Sequence, residues 1–142
     1  MKLIIADDSA VVRAILDQKL TKMDDMEIIA SVSNGRRAID AAKGERPDAV
    51  ISDIDMPEMD GLEATRILSK SMHIPVILMS EDSTKAVAAR TAGATEFLAK
   101  PKVNEYGQGF FDDLVGTLKR IVQSAPQEGH AERGGQVRPF RG

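Results

Sequence analysis

The sequence predicts a doubly wound α/β domain, a parallel sheet of about five strands with helices on both faces. Three observations predict it. Short apolar runs alternate with amphipathic segments five times along the chain. The runs have the length and β-branched content of buried strands, and the segments between them show helical spacing. Turn and cap residues stand at the joints. Such alternation demands parallel strands joined by right-handed crossovers.

The first strand is read over residues 3–6, with a helix over 10–22 in which Val12, Ile15, Leu16 and Leu20 share one face. Ser9 stands where it can cap that helix. The second strand covers 27–31. Asn34-Gly35 reads as a turn before a helix over 36–43, and Pro47 follows it. The third strand covers 49–52, and Asp60-Gly61 opens a helix over 61–71. The fourth covers 75–79 and leads to a helix over 84–92, closed by Ala92-Gly93-Ala94. The fifth covers 95–98, and the last helix, over 110–123, aligns Leu114, Leu118, Ile121 and Val122. No repeat stands out beyond the alternation itself.

Composition bounds the function. Hydrophobic residues make up 42% of 142 residues, enough for one core plus a tail. With no cysteine, disulfides and thiolate zinc sites are excluded. A net charge of -3 gives no electrostatic case for nucleic acid or an anionic membrane. The N-terminal apolar run is too short for a signal peptide or a membrane span, so a soluble, cytoplasmic protein is expected. Residues 1–124 read as the domain. Residues 125–142, with two Pro and four Gly, read as a flexible tail or truncated linker, made mildly basic by Arg133, Arg138 and Arg141.

In an open α/β sheet, ligands bind beyond the carboxyl ends of the strands. The first strand delivers Asp7 and Asp8 there, the third Asp53 followed by Asp55, the fourth Ser80 and the fifth Lys100 before Pro101. Taken singly, each has a duller reading: a helix cap for Asp7, Asp8 or Ser80, a loop carboxylate for Asp53, a surface lysine for Lys100. Taken together they form one edge. Clustered carboxylates raise one another's pKa unless a cation intervenes. Oxygen ligands without Cys, and with no His near a strand end, favour a hard ion, hence Mg²⁺. With an ammonium beside it, such a site suits phosphoryl transfer.

These residues resemble the receiver domain of two-component response regulators. The motifs are Asp7-Asp8-Ser9, then Asp53-Ile54-Asp55-Met56-Pro57-Glu58-Met59-Asp60-Gly61, then Ser80, then Ala92-Gly93-Ala94 through Lys100-Pro101. The likeness covers residues 2–123. It implies a flavodoxin-like five-stranded parallel sheet of order 2-1-3-4-5 with five helices. It implies that Asp53 accepts a phosphoryl group from a sensor histidine kinase. Asp8 and Asp53 would then ligate Mg²⁺, Asp7 would act partly through water, and Asp55 would contribute its backbone carbonyl. Lys100 would pair with the phosphate, Ser80 would move toward it, and Phe97 would be the switch aromatic. The start Asp-Asp-Ser-Ala-Val-Val-Arg and the long segment after Pro101 resemble chemotaxis receivers, including that of the chemotaxis methylesterase. Output is expected through a downstream protein partner or a fused effector domain, over residues 84–123. Glu81, where a small residue is usual, predicts an atypical phosphoryl lifetime. Tyr106 matches no family motif.

Two other functions compete for the same residues. Asp53-Ile54-Asp55 fits the Asp-x-Asp of aspartyl-phosphate phosphatases, but that motif belongs on a first strand. A flavin binder needs a phosphate-cradling loop after the first strand, where Asp7-Asp8 would repel phosphate. Neither a Gly-x-Ser-x-Gly turn nor a helix-turn-helix is present, so an esterase or DNA-binding role is not expected of this chain.

Overall fold

In the computed structural model, residues 1–124 are described; the tail read at 125–142 lies outside them. Five parallel strands, β1 (Lys2–Ala6), β2 (Glu27–Val32), β3 (Ala49–Asp53), β4 (Val76–Ser80) and β5 (Glu96–Ala99), form one sheet in the order β2-β1-β3-β4-β5. The helices are α1 (Ala10–Leu20), α2 (Gly35–Gly44), α3 (Gly61–Thr65), α4 (Ala86–Ala92) and α5 (Gln108–Ser124). This is the expected flavodoxin-like fold.

Strand alternation divides the core in two. Ile4, Val50, Val76 and Leu78 face α2, α3 and α4, where Ile39, Ala64, Leu68 and Ala89 meet them. Leu3, Ile5, Ile51 and Ile77 face α1 and α5, against Leu16, Leu20, Leu114 and Leu118. Each of these residues is at most 1% exposed, and burying such a side chain contributes about 1.5–3 kcal/mol. β3 and β4 are covered on both faces, which is why their sequences read as continuous apolar runs.

The caps largely follow the sequence. Ser9 Oγ accepts from the Val12 N–H at 3.2 Å, and Asp60 Oδ1 accepts from the Glu63 N–H at 2.9 Å. Asn34 does more than turn the chain. Its Oδ1 accepts from the Arg37 N–H at 2.9 Å, which makes it the N-cap of α2, with Gly35 as the first helical residue. Gly93 closes α4 at φ 110, a conformation that only glycine adopts without strain.

The third helix departs from expectation. Beyond Thr65 it widens into a π turn over Arg66–Ser71, with the Met72 N–H reaching back to the Ile67 carbonyl at 3.1 Å. Leu68 within this turn is wholly buried, and Ile74 beyond it nearly so. Two further starts differ. A single 3₁₀ turn, Ser83–Lys85, precedes α4, capped by Asp82. α5 begins at Gln108, because Val103–Glu105 forms its own short turn after Pro101.

Candidate functional site

Register places the site. β1 and β3 pair Leu3 with Ala49 through Ala6 with Ser52, so Asp7 just after β1 and Asp53 at the last position of β3 stand side by side. This is where the strand order reverses, the position at which open α/β sheets bind their ligands. β4 and β5 pair Ser80 with Ala99, and the Lys100 N–H donates to the Ser80 carbonyl at 2.9 Å. Backbone pairing therefore delivers all four residues to one edge.

Gly61 lets the floor of the site close. Its N–H donates to the Ile54 carbonyl at 2.7 Å, and a Cβ there would collide with the Asp53 carbonyl oxygen and the Ile54 backbone. The start of α3 thus rests directly on the strand end that carries Asp53.

Asp7 is fully buried. Its Oδ1 accepts from the Ser9 N–H at 2.9 Å, while Oδ2 accepts no directed hydrogen bond and faces the Lys100 Nζ at 2.8 Å. Arg13 clamps the Asp7 carbonyl at 2.7 Å. Lys100 Nζ also lies 3.1 Å from Asp53 Oδ2, and its side chain is only 11% exposed. Asp8 stands at the solvent edge. One carboxylate oxygen each of Asp7, Asp8 and Asp53 lies within 4.8 Å of the others.

The electrostatics follow. Burial, and then the neighbouring Asp7, push Asp53 up to about 6, with Lys100 opposing them. Burial alone would lower Lys100, but Asp7 and Asp53 hold it above the usual lysine range. With all three carboxylates ionised, one ammonium leaves two negative charges uncompensated. An all-oxygen donor set with one exposed member and a buried, undirected Asp7 Oδ2 fits a small hard divalent ion such as Mg²⁺.

The remaining expected residues divide. Ser80 is buried, and its Oγ accepts from the Asp82 N–H at 3.0 Å. Phe97 is half-buried against the core under α2, α3 and α4. Asp55 points away from the acidic group: its Oδ1 pairs with Lys85 Nζ at 3.2 Å, which leaves only its backbone near Asp53. Sequence reading missed Arg13 and Lys85, whose roles arise from tertiary placement with no local pattern to reveal it. Among the described residues, no helix is long and apolar enough to cross a membrane.

The profile of the response regulator receiver domain matches residues 3–106. Curated relatives include protein-glutamate methylesterase/protein-glutamine glutaminase 1 of Methanosarcina acetivorans, 34% identical over 130 residues that cover 89% of this chain and 37% of that protein. The corresponding protein 3 of Paramagnetospirillum magneticum is 38% identical over 125 residues, covering 87% and 35%. The chain thus spans little more than a third of these relatives. Among solved structures, the response regulator domain of Thermotoga maritima CheB superposes with a TM-score of 0.77 at 25% identity, covering 89% of this chain and 98% of that one.

Proposed function

The chain belongs to the response regulator receiver domain family, and from that premise we propose that it is a switch set by phosphorylation of Asp53 in a chemotaxis-type pathway. The observation that carries this reading is the Lys100 ammonium, 3.1 Å from Asp53 and 2.8 Å from Asp7 within a group of three carboxylates.

In this reading the donor is a phosphohistidine on a sensor kinase. An Asp53 carboxylate oxygen attacks phosphorus, the P–N bond breaks as the O–P bond forms, and the departing imidazole takes a proton from solvent. Asp7, Asp8 and Asp53, with the Asp55 backbone carbonyl, would hold Mg²⁺, which supplies positive charge to the phosphoryl oxygens. Lys100 neutralises the opposite side, and its fixed position between two carboxylates means little reorganisation is needed. Ser80 gives up the Asp82 N–H and turns its hydroxyl to the new dianion. Phe97 repacks into the space vacated, and the α4, β5 and α5 face changes.

The chain itself is read as a phosphoacceptor and not as a turnover enzyme. The methylesterase and glutaminase activities in the relatives' names are assigned here only to an effector downstream of the switch. The cytoplasmic setting follows from the same reading.

The test is incubation of the chain with acetyl phosphate or a cognate kinase, with and without Mg²⁺, followed by intact mass. A gain of one phosphoryl group that requires Mg²⁺ and disappears in Asp53→Asn is the expected outcome. No gain with a competent kinase would refute the reading, and catalytic turnover of a phosphomonoester would replace it with the phosphatase alternative.

A further inference from the structure

Asp8 is the exposed member of the three-carboxylate group, and its carboxylate meets no donor of its own among the described residues. What the fold controls is the direction of its Cα–Cβ bond, which the backbone sets. Two peptide planes flank the Cα of any residue, and each plane is rigid. The plane after Asp8 carries the Ser9 N–H, which donates to Asp7 Oδ1 at 2.9 Å. The plane before it carries the Asp7 carbonyl, which accepts from Arg13 Nη1 at 2.7 Å. One plane further back, the Asp7 N–H donates to the Val32 carbonyl at 3.0 Å. The turn itself and β2 thus hold two of the three planes. The one that opens onto Asp8 is held by a side chain from α1.

Arg13 is anchored for that task. Its N–H donates to the Ser9 carbonyl at 3.0 Å, and Ser9 caps the same helix through the Val12 N–H. Its side chain is half-buried, and among the described residues it makes this one hydrogen bond. The helix gains nothing from the charge, because a cation near a helix N-terminus opposes the macrodipole. The carbonyl does gain: a guanidinium is always charged, and a bond from a charged donor is about twice as strong as a neutral one.

We propose that Arg13 is a positioning residue for Asp8. By clamping the Asp7 carbonyl it fixes the peptide from which Asp8 departs, and so aims the Asp8 carboxylate at the place where Asp7 and Asp53 would meet a divalent ion. This rests on the receiver reading above, and it adds to that site a residue of α1 that touches neither the ion nor the phosphoryl group. Without the clamp, the Asp7–Asp8 peptide is free to rock and Asp8 spreads into solvent. The ion must then order the turn as it binds. The loss falls on metal affinity, and the chemistry at Asp53 is intact once the ion is in place.

Arg13→Met keeps the apolar stem and deletes the donors. Arg13→Lys keeps the charge without the planar fork, and it carries the same comparison should the first variant not fold. Mg²⁺ alone is titrated into native and variant chains and followed by amide NMR, with thermal midpoints in EDTA and phosphorylation rates with acetyl phosphate across Mg²⁺ concentrations. The expected Mg²⁺ Kd is raised about tenfold, the lower end for a partner one step behind a ligand, because Arg13 acts through the backbone. In the metal-free variant the Asp8 and Ser9 amide resonances move, while those of Val50 and Leu78 in β3 and β4 stay. The phosphorylation rate falls at limiting Mg²⁺ and returns to the native value at saturating Mg²⁺. A lower thermal midpoint with a Kd within about twofold of native would make Arg13 a staple of the turn alone and overturn the inference. A raised Kd with amides displaced throughout β3 and β4, or a rate that stays low at saturating Mg²⁺, would overturn it as well. A native chain that binds no Mg²⁺ and takes no phosphoryl group overturns the receiver reading, and the inference with it.

Discussion

The Lys100 ammonium lies 3.1 Å from Asp53 although their strands, β5 and β3, do not pair with each other. The lysine reaches across the end of β4 and continues to the buried Asp7 at 2.8 Å. It is thus an internal counter-ion for two buried carboxylates. Removing one partner of such a group leaves uncompensated buried charge, which costs about 3–5 kcal/mol. Lys100→Met is expected to lower stability by about 3 kcal/mol without Mg²⁺, with much of the loss restored by Mg²⁺. Urea unfolding in EDTA and in Mg²⁺ measures both; equal midpoints for native and variant in EDTA would contradict it.

Asp53 gives a pH signature. Its folded value is raised from 3.8 to about 6, chiefly by burial. The folded state therefore binds the proton more tightly than the unfolded chain does. The ionised carboxylate penalises folding fully above about pH 6, and the penalty fades to nothing as pH falls below the ordinary carboxylate value. Asp53→Asn removes the penalty. The metal-free variant should exceed native stability by about 2–3 kcal/mol at neutral pH, and the gap should close near pH 4. A gap independent of pH would show that the charge is not its source.

Legibility in the sequence followed the range of the interactions. The five strands, the edge residues and the Ser9 and Asp60 caps depend on local pattern and on topology, and both were readable. The π turn after Thr65 is a widening of the hydrogen-bond ladder, which no apolar periodicity records. The inward placement of Lys100 required the register of β5 on β4, so alone it read as a surface lysine. The Asp55–Lys85 pair joins two loops 30 residues apart and left no mark in either.

Glu58 stores strain beside the site. It sits at φ 66 in a tight turn in which the Met59 N–H donates to the Pro57 carbonyl at 2.7 Å. Among the described residues, its only side-chain hydrogen bond is a long one of 3.5 Å from Asn34. A left-handed conformation costs a non-glycine residue about 1–2 kcal/mol. Glu58→Gly is expected to stabilise the domain by about 1 kcal/mol after the entropy of the freer unfolded chain is counted. A lower thermal midpoint would mean that the Asn34 contact outweighs the strain.

The switch role proposed for Phe97 separates chemistry from output. Phe97 packs against the α3–α4 side of the core. Phe97→Ala should lower stability by about 1–3 kcal/mol, less than a fully buried phenylalanine would. It should leave the mass gain on Asp53 unchanged and blunt partner binding. Hydrogen exchange tests the link: the change that phosphorylation induces over residues 83–92 should shrink in the variant. An undiminished change would remove Phe97 from the switch.

The hydroxyl of Ser80 is already engaged, accepting from the Asp82 N–H at 3.0 Å. A hydrogen bond of this kind is worth about 1 kcal/mol net, or roughly a fivefold bias in a two-state equilibrium. In the proposed switch, the resting bond would therefore set the background of the signal. It holds down the fraction of chains that adopt the output shape before any phosphoryl group arrives. It also takes the same amount from the driving force once one does. The dynamic range and the maximal response of this relay are thus tied to a single contact between residues two positions apart.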